Sequence, residues 1–464
     1  RLRRVRRSGC LRIAMSQQIN PVENFVSEFE AIRSTLSGDD VPWLDALRRS
    51  GIEQFKGAGL PGPRVESWKY TRLRPLEDTT FRPVTPADRE AFIDQVPSVL
   101  PTALDCPRIV FVNGFMRPDL SRLDTLPEGV TVEPLGAALT RDPEWVGAHL
   151  GRISRFEGQP LVALNTAMMN SGAVVHVRRG VVVEQPIQMI FIAGHTEDPV
   201  ACYPRNLIVM EEASQATLVK LHAGLGVSAY LANAVTEVDV GDAAILRHYR
   251  VQSENMQATH LGSLHVRIGR DATYEGFGLH IGGRLSRTEI FARLQGEGGH
   301  CALNGAYLMK GREHCDNTTV IEHTVPNTTC SEIFKGILDD ESRGVFQGRI
   351  VVRKDAQGTD GHQLSNALLL SDKAEMDAKP ELEIYADDVK CSHGATTGKL
   401  DETALFYLRS RGIPEALARN LLIQSFVAGA LDEVKVDVVR EAMMNKVVHW
   451  LPAQCFLAEE WTKE

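Results

Sequence analysis

The sequence predicts a mainly β protein: a right-handed parallel β-helix core flanked by N-terminal and C-terminal helical domains. Three observations carry that reading. Between about residues 160 and 385, β-rich runs such as AVVHV, IQMIFIAG, ATLVKLH, LHVRI and RIVVR follow one another with turn residues between them. Ala216, Ala244 and Ala272 recur 28 residues apart, each followed by Thr or Ile and then a large apolar residue. Such a period belongs to stacked coils, each burying its apolar face on its neighbours. Outside this region the apolar residues fall three and four apart, as amphipathic helices require. An antiparallel sandwich stays open as the alternative to the β-helix.

The elements follow in order. The first fourteen residues, RLRRVRRSGCLRIA, hold six arginines, no acid and no apolar stretch long enough for a signal peptide. Met15, followed by SQQINPVENF, reads as a natural start, so residues 1–14 are read as an upstream leader or artefact. Residues 15–150 form an N-terminal helical and mixed domain, in which NPVENFVSEFEAI and PWLDALRRSGIEQF are the helices. A Pro- and Gly-punctuated loop, GLPGPRVESWKYTRLRPL, offers Trp68 and Tyr70 as docking aromatics, and RIVFVNGFM reads as a hairpin turning at Asn113-Gly114. Residues 151–395 are the β-helix core, with no helix expected to interrupt it after 160. Residues 396–464 are a C-terminal helical domain. There Gly412 suits a left-handed cap, Pro414 fits the first turn of the next helix, and that helix is expected to bury Leu417, Leu421, Phe426 and Ala430.

Composition bounds the function. Apolar residues at 43% and charged ones at 24% belong to a globular chain that can bury a large core. No run of about 18 apolar residues exists, so no helical membrane span is expected. The formal charge of −9 becomes −15 without the six leader arginines, which argues against nucleic acid as a partner. Eight widely spaced cysteines without a CxxC pair point to free thiols in a reducing, cytoplasmic setting. There is no phosphate-binding P-loop sequence, and GEGG at 296–299 lacks the context of a dinucleotide fingerprint.

Two clusters could carry chemistry. Cys391 and His393 lie two apart, so on an extended strand thiol and imidazole face the same way. Both are good ligands for iron or zinc, but two ligands do not close a site, and the rest must come from afar or from another chain. Asp387 and Asp388 disfavour the thiolate that a Cys–His nucleophile pair would need. On the residues alone a plain loop leads, with a metal contact second and a nucleophile third. The second cluster holds Cys301, Cys315 and Cys330, spaced 14 and 15 apart, with His300, His314 and His323 nearby. It reads as small buried thiols at repeated interior positions rather than as a metal site. A carbohydrate-active β-helix enzyme is the alternative from another class, although no basic and acidic cluster singles itself out.

The stretch ELEIYADDVKCSHGATTGKLDETALFYLRSRGI (381–413) closely resembles the signature shared by the SufB and SufD subunits of the SUF iron–sulfur cluster assembly machinery. ESWKYTRL (66–73) is similar to the N-terminal signature of the D subunits. Gly394 stands where the B-type motif has an acid, and QLSNALLLS offers no scaffold cysteine; both departures favour the D type. The resemblance implies a non-catalytic subunit that pairs with a SufB-like paralogue through its β-helix and with a SufC-like ABC ATPase through its C-terminal helices. It implies His393 as the residue at a transient cluster site shared with SufB, with Cys391 its neighbour. Leu405, Phe406, Leu422 and Phe426 would then shape the ATPase-docking helices. No stably bound cofactor is implied, ATP enters only through SufC, and the isolated chain could form a homodimer. A B-type scaffold holding the cluster itself is the nearest alternative.

Overall fold

The computed structural model describes residues 20–90 and 105–452; the expected leader at 1–14 lies outside them. The chain winds between two sheets, giving one strand to each per coil. Tyr230–Val240, Ala258–Ile268, Leu285–Leu294, His314–His323, Arg343–Val352 and Glu375–Ile384 stack in parallel in the first sheet. Gln215–Gly224, Ile245–Glu254, Thr273–Gly282, His300–Met309, Thr329–Leu338, Thr359–Leu369 and Val389–Gly398 do so in the second. Parallel neighbours that are never consecutive in the chain make a β-helix and exclude the antiparallel sandwich.

The repeat is sharper at the corners than in the alanines. Ile245 pairs with Thr273, so Ala244 and Ala272 are equivalent, but Ala216 pairs with Leu246 and is two residues out of register. Coil length varies, which blurs any fixed period. What recurs is a left-handed residue at the corner before most second-sheet strands: Ala213, Ala243, Asp271, Gly298 and Asn327 stand two positions ahead of theirs, and Gly358 one ahead of Thr359–Leu369. The N–H groups of Ala213, Ala243 and Asn327 each donate to a carbonyl of the next coil, Asp242, Arg270 and Gln357 respectively. The ladder therefore continues around the corner. GEGG belongs to this column, as a turn rather than a ligand loop.

The N-terminal helices Pro21–Ile32 and Pro42–Ala58 bury Phe25, Phe29, Ile52 and Phe55. The expected hairpin is present: Val112 faces Phe115 across Asn113 and Gly114, both left-handed as this tight turn requires. One expectation fails. Pro160–Met168 is a helix, and its residues Leu161–Met168 are all buried. A helix surrounded by protein has no polar face, so its sequence shows no 3.6-residue period. Gly51 permits the close approach there, since a Cβ on it would meet the Ala163 carbonyl oxygen at 2.8 Å.

Two buried polar contacts tie the appendages to the β-helix. Arg205 and Glu237, both wholly inaccessible, pair at 2.7 Å. Glu237 also accepts from the N–H groups of Gly151, Ile153 and Ser154, anchoring that loop. Trp68 is buried with the Arg287 guanidinium 3.9 Å from its ring centroid, while Thr71 bonds to His314 and Asp316. Tyr70, the other expected docking aromatic, is only half-buried.

The C-terminal helices are Glu402–Ser410, Glu415–Leu431 and Asp437–Trp450. Gly412 is left-handed as expected, and Pro414 is the N-cap of the second helix, one step before its first turn. That helix buries Ala418, Ile423, Val427, Ala430 and Leu431, packing with Leu308 and Ile337 of the second sheet. Leu421, expected inside, is 40% exposed, and Leu417 is half-buried. The helix is apolar on more than one face, so the pattern alone did not say which face meets the sheet. Among the described residues no helix is long and apolar enough to cross a membrane.

Candidate functional site at the open end of the β-helix

Cys391 and His393 lie on Val389–Gly398, the last strand of the second sheet. They are therefore on a strand and not in the plain loop that the residues alone favoured. Among the described residues no strand pairs with the outer edge of Val389–Gly398, nor with that of Glu375–Ile384. Unpaired edge N–H and C=O groups are a template for another chain. The two edges differ. Pro380 interrupts Glu375–Ile384 and removes a donor, whereas Val389–Gly398 contains no proline and is mostly exposed.

Along the second sheet, Cys391 pairs with Gly361, Gly361 with Cys330, and Cys330 with Cys301. The thiols thus form an interior column with one gap. A Cβ on Gly361 would lie 3.2 Å from Cys330 Sγ and 3.7 Å from Cys391 Sγ, so both sulfurs lean over the glycine. Cys391 packs on the interior apolar cluster, and burial pushes its thiol up, with nearby Asp360 adding to the effect. Its sulfur is turned inward. Burial likewise pushes Cys301, Cys315 and Cys330 up, so the reading of these three as interior residues holds. Cys315, on the first sheet, belongs to a separate cluster with Tyr307 and Met309. His300 bonds Thr329 and His314 bonds Thr71, while His323 Nε2 meets Cys330 Sγ at 3.2 Å, so of these residues only that one Cys–His pair is in contact.

His393 is the accessible member. It is exposed and makes no hydrogen bond, ion pair or ring contact with the described residues. Its register partner is Gln363, whose partner is Glu332. Gln363 Nε2 donates to Glu332 Oε2 at 2.6 Å. Burial pushes Glu332 up to about 7. Sequence reasoning missed Gln363 and Glu332; the signal was a polar residue at an inward position of an alternating strand, visible only once the register is known. A carboxyl raised on folding favours the folded state below its unfolded value and loses that advantage as pH rises through about 7. Glu332→Gln is therefore expected to raise stability at pH 8 by about 2–3 kcal/mol and to change little at pH 4. Urea midpoints at the two pH values measure this, and equal shifts at both would refute it.

The four residues expected to shape the docking helices are not alike. Leu405 is buried at 4%, and Leu422 and Phe426 pack half-buried on the core beneath. The Lys335 ammonium lies 5.0 Å from the Phe426 ring centroid and donates to the Phe426 carbonyl at 2.9 Å. Phe406 is 72% exposed, and its neighbour Tyr407, which sequence reasoning did not single out, is 55% exposed. These two are the most exposed large apolar side chains of the described C-terminal helices.

Comparison with known proteins decides the family. Residues 191–426 match the core domain of the SUF-system SufBD proteins of iron–sulfur cluster assembly, and residues 19–189 match the SufBD N-terminal region. The chain belongs to the SufBD family. It is 30% identical over 435 residues to an iron–sulfur cluster assembly SufBD family protein of Synechocystis, covering 91% of this chain and 94% of that protein. It is 30% identical to the iron–sulfur cluster assembly protein SufD of Escherichia coli over 407 residues, 86% and 92% of the two chains. The Bacillus subtilis SufD is 26% identical over 414 residues, covering 87% and 93%. Family membership places the chain in iron–sulfur cluster assembly by the SUF system.

Proposed function

We propose that the chain is the D-type, non-catalytic subunit of a cytoplasmic scaffold complex, paired with a B-type paralogue through the open end of its β-helix. The nascent iron–sulfur cluster is cargo at that junction, and His393 is this chain's contact to it. The observation that carries this reading is the unpaired strand Val389–Gly398, which presents an exposed imidazole with no partner among the described residues. A single free imidazole on an edge that invites another strand suits a site completed by a second chain and released again. With Cys391 turned inward and its thiol raised, the scaffold thiolate comes from the partner. The test is cluster formation by the reconstituted three-component complex carrying His393→Ala.

An ABC-type ATPase docks, in this reading, on the helix Glu402–Ser410, because Phe406 is a large ring left 72% exposed beside Tyr407, whose ring carries only the Arg411 guanidinium. Exposed aromatics of this kind dominate interface energetics. Phe406→Ala is expected to weaken ATPase binding by about 2 kcal/mol, roughly thirtyfold, while leaving the melting temperature unchanged. Calorimetric titration with the ATPase measures it, and unaltered affinity would move the docking surface elsewhere.

A further inference from the structure

The interior of the β-helix holds a second constellation, far along the chain from Cys391 and His393. His222 on Gln215–Gly224 and Glu254 on Ile245–Glu254 belong to the second sheet, and His260 on Ala258–Ile268 belongs to the first. All three are buried, at 6%, 8% and 5% exposure. One ligand atom from each lies within 4.8 Å of the other two. We propose that these residues bind a single divalent first-row metal ion of the Zn2+ or Fe2+ class, which joins the two sheets across the interior.

The local geometry supports this. His222 Nε2 and His260 Nδ1 are buried without a hydrogen-bond partner among the described residues. His260 Nδ1 is 3.0 Å from Glu254 Oε2, close enough for an ion pair but not aligned as a hydrogen bond. An unused imidazole nitrogen costs free energy when buried, and a metal would satisfy both rings. The carboxylate is held from outside: Tyr230 Oη donates to Glu254 Oε1 at 2.9 Å and Gln252 Nε2 to Oε2 at 3.0 Å. His222 is fixed by stacking on Phe191 at 4.9 Å, and its ring meets that of His260 edge-on at 4.7 Å. Such supporting contacts are what orient metal ligands. Two imidazoles and one carboxylate leave a coordination position free. Cavities of about 30 Å³ border the triad on the Tyr230 side and on the His280 side, each enough for a water.

The surrounding charges are compatible. Lys220 Nζ donates to Thr236 Oγ1. Arg250 faces His280, the next residue along the His222 and Gln252 column, rather than Glu254. His280 itself is the built-in control, a buried imidazole of the same interior that is not part of the triad.

The test uses the full-length chain with Cys391→Ala and His393→Ala, so that the open-end residues cannot contribute. After chelator treatment it is titrated with Co2+, followed by visible absorption and elemental analysis. One equivalent per chain is expected, with a thermal midpoint raised by roughly 3 °C at a hundredfold excess over Kd. His222→Asn and Glu254→Gln should each weaken uptake tenfold or more, and His280→Asn should leave it unchanged. Absent uptake, or equal uptake by the triad variants, would overturn the proposal. If those variants fail to fold, X-ray absorption of the Co2+-loaded parent decides: imidazole and oxygen scattering supports the site, and sulfur in the first shell refutes it.

Discussion

Replacing His393 by alanine is expected to cut cluster yield in the reconstituted complex at least about tenfold, the lower range for losing even a supporting contact at a metal site. The β-helix should be untouched, because the exposed imidazole makes no hydrogen bond, ion pair or ring contact with the described residues. Size-exclusion elution and melting temperature of the variant complex should match the parent. Cys391→Ala should behave in the opposite way. Its sulfur packs on the interior cluster, so the loss is a small core truncation costing about 1 kcal/mol, with cluster yield retained. The pair thus separates an exposed residue from one packed on its own core, although both lie on one face of the strand. Equal yield from parent and His393→Ala would remove this histidine from the assembly site. A large loss from Cys391→Ala with unchanged stability would show that the thiol turns outward in the complex.

The largest stability effect is expected at Glu237. Glu237→Ala leaves the Arg205 guanidinium wholly buried without its counter-charge and strips the acceptor from three loop N–H groups. A broken buried pair of this kind costs about 3–5 kcal/mol. Replacing both partners by apolar residues of similar volume should recover much of that loss, since the stranded charge is what costs most. Burial acts to raise the Glu237 carboxyl, but Arg205 and the N–H donors outweigh it and hold the value below the ordinary glutamate range. A depressed carboxyl contributes its stability above the unfolded value and loses it as pH falls through the folded one. The destabilisation by Glu237→Ala should therefore be full at neutral pH and shrink in strong acid. Denaturant melts across pH measure both claims, and a pH-independent loss would refute the ionised pair.

Local patterns carried much of this protein. The paired Asn113-Gly114 produced its hairpin, Gly412 its left-handed cap, and the amphipathic N-terminal helix of Phe25 and Phe29 its packing, because each depends on neighbours in the chain. The Pro160–Met168 helix and the exposed face of Leu421 escaped, because burial on several sides erases the period that would reveal them. At the open end the sequence marked Cys391 and His393 as a pair on one strand face, and the structure separates them by cover: the thiol packs on the interior cluster, while the imidazole beyond Gln363 is left exposed.

The sequence by itself determined the coil-by-coil β architecture, the helical ends, and the family through residues 381–413. Only the tertiary structure decided which residues share a column. Coils of unequal length shift the pairing, so Ala216 meets Leu246 and Cys391 meets Gly361, and no fixed spacing announces that. The same holds for His222, Glu254 and His260, which come from three strands and two sheets. Their meeting is set by how the sheets face across the interior, an arrangement fixed by packing between coils rather than by any local pattern.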